Sequence, residues 1–129
     1  QLLNIFFGDM SIIGPRPLTV QTFNNYPNMA KDSIKKICPG LSGIGSIIFR
    51  DEEEIMSGED ASIEFYESSI APYKGQLETW FIENKNTLLY FMLIFLTIWV
   101  VIFPKSNIVW KVFKELPEPP LELKKFFNY

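Results

Sequence analysis

The sequence predicts a predominantly helical α+β fold with one or two short strands. Three observations carry that prediction. Apolar residues recur at helical spacing in residues 28–37 and again from Ile63 through Phe81. A charge-free apolar run occupies residues 87–103. By contrast, residues 44–49 (Ile-Gly-Ser-Ile-Ile-Phe) are short, β-branched and apolar, the pattern of a strand.

In chain order, residues 1–7 read as the end of an apolar helix capped by Gly8. Residues 8–17, Gly-Asp-Met-Ser-Ile-Ile-Gly-Pro-Arg-Pro, form a stiff loop. Gly8 and Gly14 permit turns that a Cβ resists. Pro15 and Pro17 fix φ on either side of Arg16 and push their preceding residues toward extended geometry. Arg16 thus sits on a rigid stalk, where its guanidinium can fork onto a phosphate or carboxylate; a solvated arginine in a Pro-rich turn is the plainer reading. A short helix is expected over residues 18–26, broken by Pro27. Ile34 and Ile37 then face away from Lys31, Lys35 and Lys36 in an amphipathic helix ending before Pro39. Those lysines are a solvated face or a contact for anionic headgroups.

Pro39, Gly40 and Gly43 mark a turn before the expected strand, which ends at Arg50. Residues 51–54, one aspartate and three glutamates, cannot all point one way on a helix. They read as a helix start, with Asp51 as N-cap and the glutamates in the first turn, in preference to a metal site. Ile63, Tyr66, Ile70 and Tyr73 continue at helical spacing past Pro72, and Leu77, Trp80 and Phe81 extend the stripe with Glu78 and Glu83 outside it. Residues 87–103 would span roughly 25 Å as a helix, slightly short of a hydrocarbon layer. A short span, an interfacial or re-entrant helix and a buried core helix compete. Lysines concentrate after the run, at Lys105, Lys111, Lys114, Lys124 and Lys125. A second apolar cluster at Ile108, Val109, Trp110, Val112 and Phe113 suits an interfacial helix. Residues 116–120 (Leu-Pro-Glu-Pro-Pro) read as an extended linker. The expected division is a folded segment over 1–86, membrane-associated helices over 87–115, and a linker and tail over 116–129.

Composition narrows the chemistry. A net charge of −3 argues against nucleic-acid binding. With no histidine, imidazole catalysis and His-ligated metals are out. A single cysteine, Cys38, permits no internal disulfide and reads as a small apolar filler. Twelve phenylalanines exceed the need of a small soluble core and suit a surface resting in lipid.

The wording of residues 8–17 resembles the signature of the bacterial sugar transferases, the monotopic polyprenyl-phosphate phosphoglycosyltransferases. Residues 1–7 resemble the helix that leads into it, and residues 39–43 (Pro-Gly-Leu-Ser-Gly) resemble the family's Pro-Gly-Ile-Thr-Gly box. The resemblance implies a membrane-associated fold and transfer of a sugar-1-phosphate from a UDP-sugar to polyprenyl phosphate. It implies Mg²⁺ as cofactor, and lipid contact at the cytoplasmic face of the bacterial inner membrane. It places the nucleophilic Asp-Glu pair immediately before Gln1, so no catalytic residue is expected in this chain, which reads as a C-terminal part that would be inactive alone. Arg16 and Arg50 are the expected phosphate- and substrate-binding residues. Asp9, Gly14, Pro15, Pro17, Pro39, Gly40 and Gly43 are the expected shapers of the loop. Residues 44–49 depart from the commoner family pattern, although Arg50 matches it. Since nucleotide-sugar donors are made in the cytoplasm and the lysine-rich tail prefers the same side, both ends of residues 87–103 belong inside, which fits a helix lying in the cytoplasmic leaflet. A non-catalytic membrane-anchored binding module and a soluble helical bundle are the competing readings.

Overall fold

A computed structural model describes residues 2–15, 23–24, 26–50, 57 and 63–127. Helix α1, Leu2–Phe6, ends where Gly8 takes φ +85, and the Gly8 N–H closes the last turn onto the Ile5 carbonyl at 3.1 Å. Strand β1, Ser11–Ile13, follows directly. Helix α2, Asn28–Ile34, starts after Pro27. Strand β2, Gly40–Ser42, pairs parallel with β1, Ser11 opposite Gly40 and Ile13 opposite Ser42.

The expected strand at residues 44–49 is instead helix α3, Ile44–Ile48. Ile44 and Ile47, three residues apart, are buried together, as one helical face requires. A short apolar β-branched run suits a buried helical turn as well as a strand, and packing decided the matter. The strands lie instead in the two glycine-containing boxes, where small residues allow two backbones to meet.

Helix α4, Ile63–Phe65, widens into a π-helical turn over Tyr66–Ile70 and continues as α5, Ala71–Asn84. Pro72 near the start of α5 has no N–H to give the carbonyl one turn earlier, so regular i→i−4 bonding is interrupted there. The chain turns through Lys85 and Asn86 into α6, Thr87–Ile102, with the Asn86 side chain capping the Leu89 N–H at 2.8 Å. Helix α7, Ile108–Val112, and helix α8, Leu121–Lys124, complete the described chain. The Asp51 cap and the helix expected over residues 18–26 fall mainly outside the described residues.

One core holds α3, α5 and α6, with Leu116 and Leu123 of the tail buried in it. Tyr73 donates to the Pro117 carbonyl at 2.9 Å, and its ring meets Phe49 and Phe127, which fastens the tail. A second cluster, Tyr26, Ala30 and Ala71, joins α2 to the start of α5. Only one stripe of α6 enters the core: Leu89, Leu93, Leu96 and Val100. Its other face leaves Leu88, Phe91, Phe95, Ile98 and Val101 exposed. Among the described residues no helix is long and apolar enough to cross a membrane.

Candidate functional site

The site is built on bare backbone. The Gly14 N–H donates to the Ser42 carbonyl at 2.9 Å, and the Gly40 N–H donates to the Pro15 carbonyl at 2.7 Å. Ser11 N–H reaches the Pro39 carbonyl at 2.8 Å. A Cβ at Gly40 would collide with the Gly14 backbone, and one at Gly43 would lie 2.5 Å from the Gly14 carbonyl oxygen. The two boxes that stand apart in sequence are therefore one interlocked unit, which buries Gly14 and Pro15.

This unit is fastened to α6. Ser11 Oγ lies 3.1 Å from Tyr90 Oη. Ser42 Oγ lies 2.9 Å from Thr97 Oγ1, whose own proton goes to the Leu93 carbonyl, so Ser42 is the donor. Arg50 completes the series from the end of α3, its guanidinium donating to the Val100 carbonyl. Arg50 lines a small cavity with Ile47, Val100 and Trp110, separate from the cleft beside Gly14.

Arg16 and Pro17 lie outside the described residues, immediately beyond Pro15. The side chain of Asp9 is exposed, and it is the Asp9 backbone carbonyl that takes a bond, from the Cys38 thiol at 3.1 Å. Among the described residues no three carboxylate, histidine or cysteine side chains gather as a metal site.

These two boxes, packed together, lie within the segment that matches a known family. The description "bacterial sugar transferase" covers residues 1–104. The chain belongs to the bacterial sugar transferase family. No curated protein matches the chain. As a sugar transferase it acts between a sugar donor and an acceptor. The match includes both boxes, α5 and the whole of α6.

Two features of this transferase escape the sequence pattern. Glu78, expected on the outer side of α5, is only 6% exposed. Burial pushes its carboxyl up to about 7, against smaller opposing effects of Lys74 and the Gly45 N–H. A Cβ at Gly45 would stand 2.5 Å from Glu78 Oε1, so the glycine in α3 makes room for the acid. Glu78 Oε2 and the hydroxyl of Ser46 are both buried without a hydrogen-bond partner among the described residues. The available signal was the four-residue spacing of Lys74 and Glu78 on one helical face. The second feature is an open cleft of about 530 Å³ beside Gly14, with Lys85 and Tyr90 in its wall. Lys85 stands two residues before the apolar run in sequence, and nothing in its neighbours marks it as part of a cleft.

Proposed function

We propose that the chain is the C-terminal part of the catalytic domain of a phosphoglycosyltransferase, which moves a sugar-1-phosphate from a UDP-sugar to polyprenyl phosphate at the cytoplasmic face of the bacterial inner membrane. The observation that carries this reading is the interlocking of Gly14 with Gly40 and Gly43 within the family-matched segment. That unit holds Pro15 rigidly, and Arg16 follows it directly. A guanidinium on a fixed stalk stabilises charge on phosphate oxygens without reorganising.

In this reading a carboxylate supplied from before Gln1 attacks the sugar-linked phosphorus and UMP leaves. The polyprenyl phosphate oxygen then displaces the carboxylate and carries off the phosphosugar. Arg16 clamps the donor diphosphate. The exposed apolar face of α6 supports the membrane location, since soluble proteins rarely leave so many neighbouring large apolar side chains uncovered. A helix lying along the leaflet, buried on one side in protein and on the other in lipid, accounts for it.

The test is Arg16→Ala in a protein that also carries the residues preceding Gln1. UMP release from UDP-sugar should fall by about 100-fold, the usual loss when one fixed donor to a developing phosphate charge is removed. Unchanged UMP release would refute the clamp.

A further inference from the structure

The cleft beside Gly14 has two chemically distinct ends. Its lining includes Ser11, Gly14, Lys85 and Tyr90, with Ile37 and Phe81 as apolar walls. Among the described residues Lys85 is the one charged residue in that lining, and it is exposed. Among the described residues no carboxylate forms an ion pair with it. Ser11 and Tyr90 share one hydrogen bond, which occupies one of their two hydroxyl protons and leaves the other for a ligand. Beyond these groups the surface turns apolar. Phe91, 62% exposed, lines this cleft and also borders a second hollow formed with Met92, Phe95 and Val112. One polar, cationic end thus runs through Phe91 into an apolar track along the uncovered face of α6.

An anionic head on a single apolar chain fits that arrangement. A phosphate monoester accepts from ammonium and hydroxyl donors at once, and an isoprenoid chain covers aromatic surface. We propose that this cleft is the acceptor subsite, in which Lys85 and the Ser11–Tyr90 pair hold the phosphate of polyprenyl phosphate while its first isoprene units lie against Phe91 and Phe95. The proposal rests on the phosphoglycosyltransferase reading. It adds that the acceptor phosphate enters next to Gly14, two residues before Arg16 in the sequence.

Cys38, the only cysteine of the chain, lines the same cleft and reports its occupancy. The chain in non-ionic detergent is labelled with a maleimide, and the labelling rate is followed against farnesyl phosphate, farnesol, inorganic phosphate or dioleoyl phosphatidic acid. Farnesyl phosphate should slow labelling of Cys38. Lys85→Gln should raise the concentration needed for half-protection by about tenfold, the scale of a lost charge-assisted bond. Lys85→Arg should restore it. Phe91→Ala, which changes an exposed side chain, should also weaken protection. Equal protection by farnesol or by inorganic phosphate overturns the proposal, because one lacks the head and the other the chain. Equal protection by phosphatidic acid overturns it in favour of a general headgroup contact, and an unaltered response in Lys85→Gln overturns it outright. A transfer assay separates the two claims. Protection without sugar-phosphate transfer leaves the subsite standing and refutes the reaction. Transfer with an unchanged acceptor KM in Lys85→Gln refutes the subsite and leaves the reaction.

Discussion

Replacing Glu78 by glutamine tests the buried acid directly. Its carboxyl is held at about 7 against an ordinary 4.5, because the charged form is stripped of water between α3 and α5. That difference corresponds to about 3 kcal/mol between folded and unfolded states. Below pH 4.5 both states carry the proton and the group costs nothing. Between pH 4.5 and 7 the unfolded chain releases it while the fold retains it, so stability falls as pH rises. Above pH 7 the full penalty is in place. Glutamine keeps an oxygen to accept from the Gly45 N–H and never ionises. Urea unfolding of both proteins from pH 4 to 8.5 should therefore show the stability gap shifting in favour of Glu78→Gln by about 3 kcal/mol, with the change centred between pH 4.5 and 7. A gap that stays flat with pH would refute the assignment of a proton-retaining acid at this position.

Gly40→Ala should cost about 3 kcal/mol in urea unfolding, because its Cβ meets immovable Gly14 backbone. Gly8→Ala, which meets open space but keeps φ +85, should cost only about 1 kcal/mol; equal losses would discount the interlock. Phe95→Lys changes a side chain 55% exposed on α6, so thermal unfolding in detergent should stay within about 2 °C of wild type. Flotation with anionic vesicles should weaken several-fold, and undiminished flotation would remove α6 from the membrane contact.

Much of the helical framework was legible because its signals are local. The cap at Gly8, the apolar stripe through Tyr73, Leu77 and Phe81, and the stop before residue 104 each need only neighbouring residues. The strands were misplaced because their formation depends on a distant partner. Nothing within Ser11–Ile13 announces a strand until Gly40–Ser42 is beside it, and Ile44–Ile48 looked like one until packing against α5 and α6 made it helical. The glycine boxes were recognised by their wording, whereas their contact with each other is a three-dimensional fact. Glu78 was hidden for the same reason: its burial depends on Gly45, thirty-three positions earlier, having no side chain. The sequence singles out Arg50 but not its partner, the Val100 carbonyl of α6, which lies fifty positions away.

The bonds from Ser11, Ser42 and Arg50 reach α6 at Tyr90, Thr97 and Val100, spread over about 15 Å of helix. Three attachments at three heights leave little freedom to slide or swivel. Helix and strands form one rigid body, and the position of the helix sets the position of Gly14 and Pro15. A shift of one helical turn would carry the strand pair by about 5.4 Å along the helix axis, more than any hydrogen bond to it tolerates. The apolar helix thus fixes where the interlocked strand pair stands along its axis.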